Sequence, residues 1–211
     1  MRYPVQAGGI FARLCSDLSG TVRRILVVVL FFVTTGLYAQ APLQDREQLY
    51  EKQIMESARE HGVDPMLIKA VIFTESSFFP DKTGKDGEIG LMQIRQAAAR
   101  DWANAKGVMP PEKEAMFDPG LNIEIGTWYL ARALKHWYDN PDFLRMALAE
   151  YNAGRTRLLQ WMKICNQNTD LLFQSKPVGK YADKVCRKYV EYTIGNIEKI
   201  PEIKKTVAIK E

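Results

Sequence analysis

From residue 44 onward, apolar residues recur at three- and four-residue spacing, broken by turn signals, and no run alternates as a strand does. Gln44 to Glu60 carries Leu49, Ile54 and Ala58 on one face and meets Gly62 as a stop. Asp64-Pro65 then opens a second helix, with a side chain that caps and a proline at the first helical position. Its stripe runs Leu67, Ile68, Val71, Ile72, and the next member is Glu75, just before Pro80 closes the segment. A carboxyl group therefore stands where a core residue is expected, one turn from a helix end. Lys82 to Gly90, KTGKDGEIG, is a polar loop able to hold a short hairpin. Helices are predicted over Gln96 to Ala105, from Asp118-Pro119 through Tyr138, and from Asn140-Pro141 along Leu144, Ala147, Leu148 and Tyr151 to Gly154. A last long helix is predicted from Tyr181 to Ile197. The fold class is mainly α, with at most a small sheet or hairpin near residues 83–95.

The first 39 residues read differently. Arg23-Arg24 precede the apolar run ILVVVLFFVTTGLYA, which ends in small residues, the layout of a secretory signal. A membrane-crossing helix needs about 20 apolar residues, and Ile25 to Tyr38 is shorter. Residues 1–39 are read as a signal peptide, with an uncleaved anchor as the alternative, and residues 40–211 as one domain exported to the periplasm. The leader holds four arginines and one aspartate, so a chain of net charge +4 is left close to neutral once it is removed. Charge then argues neither for nor against an anionic polymer. No phosphate loop or nucleotide fingerprint is present, and neither nucleic acid nor a cofactor is expected. The only histidines, His61 and His136, stand outside any ligand motif, so no metal site is expected. Cys165 and Cys186 form an even pair in an oxidising compartment. A bridge between them would close a loop of about 20 residues, worth roughly 3 kcal/mol; the alternative is two free buried thiols.

A carboxyl group in apolar surroundings has its charged form disfavoured and its pKa raised. Still protonated near neutrality, it can donate to a leaving group. The bland alternatives for Glu75 are a buried acid satisfied by a neighbouring helix, or a stripe that stops one residue earlier. The downstream motifs weigh against them: Glu75-Ser76-Ser77-Phe78-Phe79-Pro80, then Gly90-Leu91-Met92-Gln93, then Asn122-Ile123 with Gly126, Tyr129 and Leu130, then Tyr151-Asn152-Ala153-Gly154. This ordered set resembles the soluble-type lytic transglycosylases, whose domain is similar to goose-type lysozyme, over about Gln44 to Ile197.

The resemblance implies a lysozyme-like helical fold acting on peptidoglycan glycan strands. It implies Glu75 as the catalytic acid and then base, Gln93 as a hydrogen-bonding partner of substrate sugars, Tyr151 and Asn152 beside the acid, and Tyr189, in Tyr189-Val190, as the late tyrosine that contacts substrate or acid. Tyr181 and Tyr192 are close enough to compete for that role. Met92 either walls the cleft or packs in the core. The implied reaction cleaves the β-1,4 bond from N-acetylmuramic acid to N-acetylglucosamine and closes a 1,6-anhydro ring. A lysozyme-type hydrolase and a non-catalytic glycan-binding component are the alternatives. Small exported members of this family serve secretion, conjugation or flagellar machines, which extends the partner expectation to such assemblies.

Departures from the family pattern are visible too. Glu150 replaces the usual alanine, Ile94-Arg95-Gln96 replaces the residues usual after GLMQ, and Val185-Cys186 stand where Glu-Thr is usual. Arg95 is a candidate to meet an anionic peptide or lactyl group. No second acid stands in a recognised motif, and Asp81, Asp86 and Glu88 read as solvated. A lone acid suits a substrate-assisted route better than the carboxylate pair of most glycosidases.

Overall fold

The structure, a computed structural model, describes residues 43–197. The leader-like segment and the choice between cleavage and anchoring lie outside the described residues. Within them no helix is long and apolar enough to cross a membrane.

Nine helices and one 3₁₀ turn make up the described part. The first predicted helix is two, α1 (Leu43–Leu49) and α2 (Glu51–His61). The break falls at Tyr50, whose ring is buried and stacks on Phe78 at 6.4 Å and 8°. Helix α3 (Pro65–Ser76) begins as its sequence dictates: the Asp64 carboxylate accepts from the N–H of Met66 at 2.8 Å, and Pro65 takes the first turn. It ends in two left-handed residues, Ser77 (φ 53°) and Phe78 (φ 64°). Neither is glycine, so the turn is held by other means. The Ser76 hydroxyl accepts from the N–H of Phe78, and the Phe78 ring is fully buried.

The loop 82–94 carries only two isolated bridges, Thr83 with Ile89 and Ile89 with Ile94, so the expected hairpin is reduced to a tight double turn. Helix α4 (Gln96–Lys106) comes next, then a 3₁₀ turn at Glu114–Phe117 and α5 (Pro119–His136). Asp118 caps α5 by accepting from the N–H of Leu121 at 2.8 Å. Helix α6 (Phe143–Ala153) starts three residues later than Asn140 suggests, because the Asn140 side chain accepts from the N–H of Asp142 and makes a turn of its own. Helices α7 (Arg155–Ile164) and α8 (Thr169–Ser175) lie where no element is expected, and α9 (Pro177–Ile197) starts four residues before Tyr181.

Helix α9 packs along α3 and α6, and α5 along α6 and α2. The main core is built on α2, α3, α5 and the loop residues Ile89, Leu91, Met92 and Ile94. A smaller core joins α6 to α7, α8 and the start of α9. The cysteines divide between these two. Cys165 is buried in the small core, Cys186 packs against the main one, and both are free. The expected bridge is therefore corrected to two separate thiols: each side chain is held by a different set of apolar neighbours.

Candidate active site

The loop between α3 and α4 is fastened to α5 by one buried side chain, Asn122. Its oxygen accepts from the N–H of Met92 at 2.8 Å, and its amide donates to the carbonyls of Ile89 (2.9 Å) and Met116 (2.8 Å). The fit leaves no room for larger residues at two glycines. A Cβ on Gly90, where φ is 77°, would meet the Asn122 amide at 2.4 Å, and one on Gly126 would meet the Met92 sulfur at 2.4 Å. Met92 is fully buried in that contact. Of the two readings open for Met92, core packing is the one realised, and its assignment as a substrate-binding residue is corrected: its thioether fills the space above Gly126 and does not line the cleft.

Fixing Met92 fixes its neighbour Gln93, which adopts φ 51° and turns into an open cleft of ≈ 240 Å³. Glu75, Glu88, Tyr129, Tyr151 and Asn152 line the same cleft. The Gln93 amide nitrogen donates to the carbonyls of Lys82 (3.0 Å) and Gly90 (2.9 Å), leaving its oxygen as the uncommitted polar atom. Tyr151 donates from its hydroxyl to the Met92 carbonyl at 2.8 Å, pinning α6 to the loop. Burial first, then the charge of Glu75, pushes the Tyr151 phenol well above its usual range, so it stays a neutral donor. Asn152 is exposed at the rim. The edge of Tyr129 meets Tyr151 at 6.4 Å and 77°.

Glu75 is half-buried at the end of α3. Burial pushes its carboxyl from 4.5 to about 7, and the Glu88 charge adds to that. A hydrogen bond from Tyr181 and the positive charges of Lys82 and Lys184 work in the other direction without cancelling it. The Tyr181 hydroxyl donates to Glu75 Oε1 at 2.6 Å. Burial holds that phenol far above its usual range as well. The Lys82 ammonium donates to the Glu75 backbone carbonyl.

The tyrosine expectation is thereby corrected. Tyr189 donates to Asp64 Oδ2 at 2.7 Å, at the opposite end of α3 from the acid, and does not line the cleft. Helix α9 runs antiparallel to α3, and eight residues displace a side chain by about 12 Å along a helix. Tyr181 therefore meets the end of α3 and Tyr189 its beginning. Tyr192 reaches Glu47.

Three groups carry more of the site than their sequence context suggests. Glu88 reads as solvated, yet it lines the cleft. Its partial burial favours the neutral form, but hydrogen bonds from Arg95 and from backbone N–H groups outweigh that and hold it below the usual carboxylate range. Arg95 is occupied by Glu88 (Nε at 2.9 Å) and Asp86 (3.2 Å), so it is not a free cation for a ligand. Glu150, the departure within YNAG, is buried and fully engaged. It meets His136 Nδ1 at 2.7 Å, Trp137 Nε1 at 2.7 Å and Arg155 Nη1 at 3.2 Å, locking α6 to the end of α5. The signal was there, a charged residue in an apolar stripe, but two of its three partners, Trp137 and His136, lie 13 and 14 residues earlier.

One group among the described residues could offer ligand atoms to a metal: Glu60, His61 and Glu124. Lys106 already bridges Glu60 (2.5 Å) and Glu124 (3.2 Å), and His61 bonds Glu124 at 2.8 Å, so a side-chain cation sits among them. None of the three lines the cleft.

The family model for the transglycosylase SLT domain matches residues 52–173. Three solved structures share the fold. An inactive variant of the lytic transglycosylase Slt from Pseudomonas aeruginosa matches at TM-score 0.58 and 24% identity, over 67% of this chain and 23% of that one. The 70 kDa soluble lytic transglycosylase SLT70 from Escherichia coli matches at 0.60 and 23%, over 68% and 24%. The complex of the 70 kDa soluble lytic transglycosylase with bulgecin A matches at 0.61 and 23%, over 69% and 24%. This chain thus spans about a quarter of the length of the proteins it matches.

Proposed function

This chain belongs to the transglycosylase SLT domain family, and we propose that it is a peptidoglycan lytic transglycosylase in which Glu75 serves first as acid and then as base. The observation that carries the proposal is the Glu75 carboxyl, raised to about 7 in the wall of the cleft and hydrogen-bonded by Tyr181. A group that must give up a proton and take it back works best with a pKa near the working pH.

The protonated Glu75 donates to the glycosidic oxygen as the bond from that oxygen to the muramyl C1 breaks. The muramyl N-acetyl oxygen covers C1 and carries the positive charge as an oxazolinium. The Glu75 carboxylate, accepting from Tyr181, then takes the proton of the C6 hydroxyl while O6 attacks C1. The 1,6-anhydro ring closes, the N-acetyl group is restored, and Glu75 regains its proton without consuming water. We assign Gln93 Oε1, left without a partner by the two amide bonds, and the exposed Asn152 amide to substrate hydroxyl and N-acetyl groups, since both residues line the cleft. Tyr129 and Tyr151 supply an apolar wall.

Glu88 is the one observation that favours a hydrolase, since it brings a second carboxylate to the cleft. Its two oxygens are occupied, Oε1 by Arg95 and Oε2 by the N–H of Asp86. That supports the single-acid route. Mass spectrometry of the fragments released from purified sacculi decides between them, because an anhydro product is lighter by one water than a hydrolysed one. A Glu75→Gln protein that digests sacculi as well as the parent would remove the assignment. We place the reaction in the periplasm, in keeping with the leader-like N-terminus, and local wall opening for a secretion, conjugation or flagellar assembly is the process we propose for it.

A further inference from the structure

Glu150 is a buried acid that the proposed reaction leaves unused: it is 1% exposed and does not line the cleft. Burying a carboxylate is costly unless it is paired and hydrogen-bonded, and an alanine at this position, as in the family pattern, would carry no such cost. Its bonding joins three elements. Oε1 meets His136 Nδ1, while Oε2 accepts from Trp137 Nε1 and from Arg155 Nη1, so the end of α5 and the start of α7 are both tied to the last turn of α6. The residues between the two ends of the Glu150–Arg155 pair are Tyr151, Asn152, Ala153 and Gly154, and all four line the cleft. Gly154 stands among them at φ 80° and ψ 148°, outside the helical region. A Cβ there would meet nothing within 4 Å, so glycine serves the backbone and not the packing. Glycine also has the most conformational freedom to lose, and a link across it restrains the chain where it is freest. The Gly154 N–H bonds the Glu150 carbonyl at 2.8 Å, so main chain and side chain of the same residue hold this turn.

We infer that Glu150 is a positioning residue: its carboxylate, gripped from α5, holds Arg155 and so clamps the turn that presents Tyr151 and Asn152 to the substrate. Its catalytic consequence rests on the proposed function, because Tyr151 and Asn152 act through the cleft. Turnover then depends on an ion pair neither of whose residues lines that cleft. The buried charge serves geometry: small displacements of groups that orient a substrate are costly to the rate, and the clamp keeps the wall facing Glu75 from drifting.

Two measurements test it. In the first, kcat and KM on purified glycan strands are read per folded molecule, with folding checked by circular dichroism. Arg155→Ala removes one end of the clamp at a side chain that is 44% exposed, so the core is left intact. It is expected to lower kcat about tenfold with KM within about threefold, and Arg155→Lys, which can still pair with Glu150, to recover most of the loss. Glu150→Gln keeps the shape but offers an amide to three donors, and a similar fall in kcat is expected. Two ends of one clamp cannot be lost twice, so the double variant is expected to fall no more than about twofold below the worse single one. Losses that multiply, or an Arg155→Ala protein with the parent's kcat, overturn the clamp. In the second measurement, hydrogen exchange of the segment 150–155 is followed by mass spectrometry. Exchange at least about tenfold faster in Arg155→Ala and Glu150→Gln, with residues 65–76 of α3 unchanged, supports the clamp, and exchange unchanged in the variants overturns it. Should Glu150→Gln fail to fold, Arg155→Ala and Arg155→Lys carry both readouts. The exchange arm needs no cleavage, so a parent that cuts no glycan while its variants loosen at 150–155 removes the proposed function and keeps the clamp.

Discussion

Replacing Glu75 by glutamine should stabilise the protein above neutral pH while abolishing its activity. The carboxyl rises from 4.5 to about 7 on folding, chiefly through burial. The native state thus binds its proton more tightly than the unfolded chain. Its favourable contribution is complete below pH 4.5 and is lost as pH rises through 7, because the ionised acid must then be held half out of water. A rise of this size corresponds to about 3 kcal/mol between the two limits. Glutamine carries no charge to desolvate and can still accept from Tyr181, so it should escape this cost. The difference in unfolding free energy, variant minus parent, is therefore expected to grow by about 2–3 kcal/mol from about pH 4.5 to about pH 8.5. For a domain of this size that is roughly 4–12 °C in Tm. Urea unfolding at several pH values, read by circular dichroism, measures it directly. A difference that stays constant with pH would show that Glu75 is not held protonated by its surroundings, and the acid role argued from burial would fall with it.

Tyr181→Phe removes the only side-chain donor to Glu75 among the described residues, so the carboxyl should rise further and the alkaline limb of the pH–rate profile should move to higher pH, with kcat down about tenfold. Tyr189→Phe, which loses a bond to Asp64 only, should leave kcat/KM within about twofold and cost about 0.5–1.5 kcal/mol of stability. Equal effects of the two changes on the pH profile would contradict the assignment. Asn122→Ala strands the Met92 N–H and two carbonyls, so it should cost about 2–4 kcal/mol in urea unfolding and lower activity by freeing the Gln93 loop. With Cys165 and Cys186 free, a reducing agent should leave Tm unchanged, and a fall of several degrees would reveal a bridge.

The helix starts at Asp64-Pro65 and Asp118-Pro119 were legible in the sequence, because a cap bonds to residues two or three positions away. So was the oddity of Glu75, since helical periodicity alone carries it into the apolar stripe. The ordered motifs were legible as well, and they pointed to the family and the mainly helical fold. What several motif positions do was not. Asn122, Gly90, Gly126 and Met92 form a scaffold behind the cleft, and only Gln93 of that loop's motif reaches it. Tyr181, Tyr189 and Tyr192 share one helix and one chemistry. Which of them meets the acid depends on the axial register of α9 against α3, a quantity set by packing between segments 106 residues apart. The same holds for Glu88, drawn into the cleft by the fold of its loop, and for Cys165 and Cys186, parted by two cores. Local bonding decided where helices begin and which acid faces inward. Long-range packing decided which side chains that acid would meet.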